Sequence, residues 1–493
     1  MNHISLYIKY LLLFWCVSGA ITGESRAEGT PVVDTEVKIR QAYQRFIGLP
    51  QLENALVSLT VLDGQTGQPI FMANEKIGMT PASTLKNITA ATALDLLGEN
   101  FRFRTELAYL GSVDVNGVLH GDLVVVGSGD PSLGSDRFED TGVVHLLQKW
   151  SEALAVAGIR RIEGRILAND LLYGGYRSPG GWPWYDLGNY YGAGVSGLNW
   201  RENVFGVTLQ PGLRVGEPTQ IATLSTEVPH VKLINEVTTG ARGTGDQVYG
   251  YAAPYSELIF LRGLYGADLR KTISLSLPDP AYQLVHELKN RLEEAGIQHN
   301  GTVGTLYRMK SRGEDVDIFR EGLTTVMVHE SPPLRDLVYW FNQKSINLYG
   351  EALLMTVARK VDPDHGWDVS GNSREAAQLM RDLWVGKSGL PASSLQITDG
   401  SGLSPDNRTT TFAQASILAI CRDKDWFEAF YNSLPTNNGM KMKSGTISGV
   451  LGYAGYHTST TGASYVFSIL VNNYDGPTSG MRKQIFGLLD VLK

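Results

Sequence analysis

Only one lysine in this chain follows a serine by three positions: Lys86, in Ser83-Thr84-Leu85-Lys86. Thr80-Pro81-Ala82 precedes the pair, and a run from Asn87 to Leu97 ends at Gly98, so the stretch predicts a helix that opens near Ser83 and closes at a glycine. Residues three apart on a helix share a face, with Cβ atoms roughly 5–6 Å apart, which puts the Lys86 amine within reach of the Ser83 hydroxyl. The helix N-terminus adds unpaired N–H groups and a partial positive field at the point where an alkoxide or oxyanion would develop. A serine nucleophile with a lysine base is one reading of the tetrapeptide; a solvated Ser and Lys on an ordinary helix is the other.

Composition decides which partners are excluded. With 43% hydrophobic and 19% charged residues over 493 positions, the chain has material for two or three cored domains. Its net charge of −7 argues against a nucleic-acid partner and offers no polybasic patch for anionic lipid, which leaves any membrane contact peripheral at most. Residues 1–20 run from Lys9 through an apolar Tyr10–Val17 core to Ser18-Gly19-Ala20, the pattern of a cleavable secretory signal and too short for a span. The expected destination is therefore outside the cytoplasm, secreted or periplasmic. Cys421 would then be the one cysteine of the mature chain, so export brings no internal disulfide, and its setting in Ala415–Cys421 predicts a buried helix residue.

Residues 34–49 predict a helix, Ala55–Leu62 alternates as a strand, and the Asp63–Gly67 turn leads through Pro69–Met72 into the Ser83 helix. At the far end, Ser444–Leu451, Tyr453–Thr458 and Tyr465–Val471 read as strands, followed by an amphipathic helix over Ser479–Lys493 that suits packing against a sheet better than a membrane surface. Residues 106–320 differ in texture, with short β-runs, glycine turns and an aromatic stretch Trp182-Pro183-Trp184-Tyr185-Asp186 and Tyr190-Tyr191. This reads as an insertion. Gly127-Ser128-Gly129 lacks the spacing of a nucleotide loop and is taken as turn chemistry.

Ser-x-Asn occurs as Ser345-Ile346-Asn347 and as Ser370-Gly371-Asn372. The first lies between two amphipathic helical runs, at a bend where side chains can face a cleft; the second sits in a polar loop and reads as a solvated turn. Lys443-Ser444-Gly445-Thr446 enters a strand whose edge could hold an acyl chain by backbone pairing, with the lysine over its carboxylate.

In the order Ser-x-x-Lys, Ser-x-Asn, Lys-Ser/Thr-Gly, these clusters match the signature of penicillin-binding proteins and β-lactamases. Ser83 and Ser345 stand 262 positions apart, room for one or two whole inserted domains. The chain resembles, from about residue 35 to 493, the low-molecular-mass class C penicillin-binding proteins of the D-alanyl-D-alanine carboxypeptidase/endopeptidase type. Arg102–Thr105, Gly121-Asp122-Leu123 with Gly129-Asp130-Pro131, Gly181–Asp186 and Asp399–Ser404 carry the resemblance further. It implies an α+β fold: a transpeptidase-like domain of antiparallel sheet flanked by helices (34–105 and 320–493), with an inserted domain II (106–196 and 276–319) and a β-rich domain III (197–275). Ser444 stands where the family motif usually has threonine, keeping the hydroxyl. The family aspartate near the mouth of the site falls at Asn169 or Asp170, with Asp170 favoured.

The resemblance implies a serine peptidase acting on peptidoglycan stem peptides, acylated by β-lactams, with no metal or cofactor. Ser83 would attack the penultimate carbonyl and Lys86 take its proton, with backbone N–H groups of Ser83 and Thr446 as oxyanion hole. Ser345 would protonate the leaving amine, Asn347 hold the acyl amide, and Lys443 with Ser444 bind the terminal carboxylate. Burial and the like charge of Lys443 are expected to push the Lys86 amine down towards neutrality. Ser401, lacking the glycine that a nucleophile elbow needs, reads as a turn lining the cleft. The alternatives are a β-lactamase or esterase on the same scaffold, and a wall-binding protein with a relic site.

Overall fold

The computed structural model describes residues 31–175, 178–319, 321–366 and 372–493. The leader over residues 1–20, and Ser370 and Gly371 of the second Ser-x-Asn, lie outside these; Asn372 caps the Ser373–Ser388 helix by accepting the Arg374 N–H at 2.9 Å.

The centre is a six-stranded sheet ordered Thr436–Asn437, Met440–Ile447, Val450–Thr458, Ser464–Asn472, Leu56–Asp63, Pro69–Ala73, with every neighbouring pair antiparallel. Chain ends thus meet in one layer, as the resemblance leads one to expect. The Pro31–Ile47 and Thr478–Leu489 helices cover one face, through Ile39, Phe46, Met481 and Ile485. The second of these is therefore a core helix.

The other face carries the Lys86–Leu97 helix inside a jacket of helices that includes Leu334–Lys344, Asn347–Val361, Ser373–Ser388 and Thr411–Cys421. Every residue from Lys86 to Leu94 is buried. Small residues make this possible, because Ala90, Ala91 and Ala93 let neighbours approach while Ile88 and Leu94 each contribute about 1.5–3 kcal/mol of apolar burial. Its buried polar side chains bond across to neighbouring elements: Thr89 donates to the Gly400 carbonyl at 2.7 Å, Asn87 Nδ2 to the Ala454 carbonyl at 3.2 Å, and Thr92 accepts from Trp384 Nε1 at 2.8 Å, while Asn87 Oδ1 is left without a partner. Gly98 closes the helix at φ 82°, and Cys421 is buried.

Residues between the Ser83 helix and the Ser345 bend build separate layers. Arg104–Val113 and Val118–Val126 lie in a seven-stranded sheet that also takes Thr324–Glu330, so this layer reaches past the boundary expected near 320. Strands between 204 and 276 form two small sheets around Val207, Leu261 and Tyr265. A half-buried ionic cluster ties the insertion to the catalytic layer: Glu202 accepts from Ser135, Arg137 and the Tyr349 hydroxyl, the last at 3.0 Å.

Candidate active site

Ser83 lies in a short 3-10 turn, Ala82–Leu85, that runs directly into the Lys86–Leu97 helix. Ala82 just before it is held at φ 45°, a left-handed conformation that costs a non-glycine residue about 1–3 kcal/mol. Gly445 explains how the strand approaches: a Cβ there would stand 2.5 Å from the Pro81 carbonyl oxygen and 2.9 Å from the Ser83 nitrogen. Only glycine lets the Met440–Ile447 strand lie against the nucleophile turn.

The Lys86 amine is fully buried and makes three hydrogen bonds, to Ser83 Oγ at 2.9 Å, Asn347 Oδ1 at 2.6 Å and the Ser401 carbonyl at 2.6 Å. The two shorter partners can only accept. A neutral amine has two protons for them and one lone pair, which then faces the Ser83 hydroxyl. Burial holds the amine down to about 7, against the opposing pull of the Asp399 and Glu351 carboxylates. The influence of the second lysine falls the other way from expectation: burial, then the charge of Lys86, push Lys443 well below its ordinary value.

Ser345 occupies the bend between the Leu334–Lys344 and Asn347–Val361 helices at φ 57°, ψ 40°. Its Oγ accepts from Lys443 Nζ at 3.0 Å, and Lys443 also donates to the Ser444 carbonyl at 2.9 Å. Asn347 uses one amide N–H on the Tyr191 carbonyl at 2.7 Å while its oxygen accepts a hydrogen bond from Lys86 Nζ. One N–H remains for a ligand. Ser83, Ser345, Asn347 and Thr446 all line one cavity of about 750 Å³. Lys86, Lys443 and Gly445 are buried directly behind them, and Ser444 is half-buried on the same strand.

Two expected positions fall elsewhere. Ser401 is fully buried, so it is not a cleft-lining side chain; its carbonyl, not its hydroxyl, meets Lys86. Asp170 is also buried, accepting the Tyr307 N–H at 3.0 Å, and Asn169 opens on a different cavity with Arg359 and Glu106. The carboxylate that the insertion does bring to the cleft is Asp186, raised above its usual range chiefly by burial.

Several residues that shape the site lie outside the three catalytic clusters. Glu351, one turn after Asn347, accepts the Gly400 N–H on both oxygens at 3.1 Å, and burial with the neighbouring Asp399 pushes its carboxyl up to about 8. Asp399 accepts from Gly402 N at 2.8 Å, Ser404 N at 2.7 Å, Asn407 Nδ2 at 2.9 Å and Trp182 Nε1 at 3.0 Å. Together these two carboxylates clamp the turn whose Ser401 carbonyl holds Lys86. Gly350 and Gly400 permit the clamp, since a Cβ on Gly400 would meet the Gly350 oxygen at 2.3 Å. Glu351 was within reach of helical spacing, being four residues from Asn347.

An amine-activated serine, a bend with a second hydroxyl and an amide, and a lysine-bearing β-edge beside one cleft define the acyl-serine class of penicillin-binding and β-lactamase-like folds. A match to the D-Ala-D-Ala carboxypeptidase 3 (S13) family spans residues 40–490, and the chain belongs to that family. It is 26% identical over 468 residues to a D-alanyl-D-alanine carboxypeptidase of Actinomadura sp. (strain R39), covering 89% of this chain and 82% of that one. It is 23% identical over 424 residues to the D-alanyl-D-alanine carboxypeptidase DacB of Haemophilus influenzae, covering 80% of this chain and 81% of that one. Among solved structures it is similar to penicillin binding protein 4 (dacB) from Haemophilus influenzae, with a TM-score of 0.73, 20% identity, and coverage of 93% and 97% of the two chains. The chain is a serine-type D-Ala-D-Ala carboxypeptidase by family.

Proposed function

We propose that Ser83 is the nucleophile that cleaves D-Ala-D-Ala ends, or D,D cross-links, of peptidoglycan stem peptides, and that β-lactams acylate the same hydroxyl. The observation that carries this is the bonding of Lys86: two strong acceptors take its protons and leave its lone pair on Ser83 Oγ. In the forward step Lys86 takes the Ser83 proton as Oγ bonds to the penultimate carbonyl carbon. The developing oxyanion meets the backbone N–H groups of Ser83 and Thr446, donors of a kind worth about 2.7–4 kcal/mol each. As the C–N bond breaks, the proton passes through Ser345 to the leaving D-alanine amine, and water later releases the acyl group.

The strand edge supports the binding mode. Beyond the short pairing at Met440 and Lys441, the outer edge of Met440–Ile447 has no strand partner among the described residues, so an extended substrate can add to it. In this reading Lys443 and the Ser444 hydroxyl take the terminal carboxylate; the Lys443 bond to Ser345 Oγ supports the lysine's part in it. Asn347 keeps one amide N–H for the acyl amide oxygen. Export to the periplasm fits the apolar leader, and among the described residues no helix is long and apolar enough to cross a membrane. Release of D-alanine from a peptide ending in D-Ala-D-Ala tests the reading; cleavage that persists in Ser83→Ala would overturn it.

A further inference from the structure

Arg201, Glu202 and Asn203 are three consecutive non-glycine residues in the left-handed region, at φ 56°, 53° and 55°. A residue with a Cβ visits that region at a cost and as a rule singly, so a run of three survives only where its surroundings over-determine it. The two outer residues are what the surroundings hold. Arg201 grips Glu287 of the Pro280–Glu294 helix, Nε to Oε1 at 2.9 Å and Nη2 to Oε2 at 3.0 Å, and its backbone N–H meets the Leu133 carbonyl at 2.9 Å. Asn203 accepts the Trp200 N–H at 2.9 Å and donates to the Gly194 carbonyl at 2.8 Å. Both bind back into the insertion.

The middle residue points the other way. Glu202 accepts from Ser135 Oγ at 2.9 Å and from Arg137 on its two oxygens at 2.7 and 3.1 Å, which fixes the plane of its carboxylate, and Oε1 also takes the Tyr349 hydroxyl at 3.0 Å. Tyr349 is fully buried, and burial, then the Glu202 carboxylate, raises its phenol well above the ordinary value, so it stays a donor. It stands on the Asn347–Val361 helix between Asn347 and Glu351, the residues that meet Lys86 and the Gly400 N–H. The first turn of this helix needs such an anchor. Ile346 at its start has no oxygen to cap the free N–H groups, and Ser345 before it is left-handed.

We propose, on the reading that Lys86 activates Ser83, that Glu202 is a positioning residue for acylation: through Tyr349 it seats the first turn of the Asn347–Val361 helix, and with it the Asn347 oxygen, against the Lys86 amine. The strained turn is the means, since it commits one carboxylate of the insertion to a single place facing the catalytic helix. Catalytic groups tolerate little displacement, and a misplacement of about 1 Å can cost up to roughly 10²-fold in rate.

Variants of the full chain separate positioning from stability. In Glu202→Ala and in Tyr349→Phe, stopped-flow acylation by benzylpenicillin is expected to show a limiting rate about tenfold lower, with the half-saturating drug concentration within about twofold of the parent's. Tyr349→Phe leaves Arg137 paired, so it decides the matter if Glu202→Ala does not fold. The double variant is expected to be no slower than the slower single, because both remove one interaction. Glu202→Gln keeps an oxygen for Tyr349 and is expected to recover most of the rate. Thr356→Val breaks a 3.0 Å bond to the Tyr173 hydroxyl two turns further along the same helix; it is expected to lower Tm about as much as Tyr349→Phe and to leave the rate within about twofold. An equal rate loss in Thr356→Val, additive losses in the double variant, or a parent-like rate in Tyr349→Phe would overturn the proposal. A parent protein that is not acylated would count against the catalytic reading, and 15N NMR of the Lys86 amine would still decide the positioning. Its titration midpoint is expected to fall below the parent's in Glu202→Ala and Tyr349→Phe, where the ammonium loses its Asn347 acceptor, and to stay put in Thr356→Val. An unmoved midpoint in the first two would overturn the proposal.

Discussion

Lys86 Nζ lies 2.9 Å from Ser83 Oγ while its two shorter bonds go to groups that can only accept. This arrangement suits a neutral amine, and its consequence is a pH profile. The lysine is lowered from 10.5 to about 7 by burial, so below that pH it is protonated and has no lone pair for Ser83. The acylation rate by benzylpenicillin should rise as pH climbs through about 7 and then level off. The unfolded chain holds a proton on this lysine between that pH and 10.5 that the folded chain lacks, so the stability cost of burying it shrinks as pH rises through the window. Lys86→Met should lower acylation by about 10²–10⁴. A flat profile across neutrality would contradict the assignment.

Glu351 faces Lys86, Asp399 and the Gly400–Ser401 turn within a buried cluster, so its two substitutions should separate charge from geometry. Glu351→Gln keeps an acceptor for the Gly400 N–H, and because the carboxyl is pushed up to about 8 it carries little charge on the acid limb at about 7. That limb should therefore stay in place. Glu351→Ala leaves the buried N–H unpartnered, a cost of about 1–3 kcal/mol, and should lower Tm as well as the rate. A limb that moves to lower pH in Glu351→Gln would show that the carboxyl is already ionised there.

Trp182 makes the insertion part of the catalytic support, since its indole N–H is one of four donors to Asp399. Trp182→Phe deletes a hydrogen bond to a charged group worth about 1.5–3 kcal/mol. Both Tm and the acylation rate should fall, the rate by roughly tenfold if about half of that loss reaches the Ser401 carbonyl that holds Lys86. Kinetics matching the parent, measured with stopped-flow acylation, would show that the turn stands without the insertion.

Gly445→Ala should be severe for a steric reason. Its new methyl would meet the Pro81 carbonyl and the nitrogens of Ser83 and Thr84, all backbone atoms that cannot rotate away. Overpacking of this kind costs about 1–3 kcal/mol and would displace the Ser83 turn from the strand. Acylation should be nearly lost while far-UV circular dichroism persists; a rate close to the parent's would mean that strand and turn can separate without consequence.

The parts of this site that were legible in the chain are those with local causes. The Ser83 helix ends at Gly98 where the glycine demands it, and the Ser345 bend lies where two helical periodicities meet. The Met440–Ile447 strand begins before Lys443, and the run expected over 444–451 is broken by the turn at Gly449, whose φ of 68° needs a glycine. What stayed hidden depends on tertiary contact. Helical spacing put Glu351 near Asn347, and Asp399 lay in a stretch that carried the resemblance, yet nothing local shows that the two buried carboxylates clamp one turn from two elements. Tyr249 reaches the cleft only because Asn189 ties its strand to a loop some sixty residues earlier in the chain. Asp170 was indicated by a resemblance that a one-residue shift could carry to Asn169; burial removes Asp170 from this cleft and Asn169 opens on another cavity, leaving Asp186 as the acidic group there.

The most direct test is intact-mass analysis after exposure to benzylpenicillin, followed by peptide mapping. A single adduct of the drug's mass on the peptide containing Ser83, absent from Ser83→Ala, is the expected result. An adduct on any other serine, or one that survives in Ser83→Ala, would contradict it.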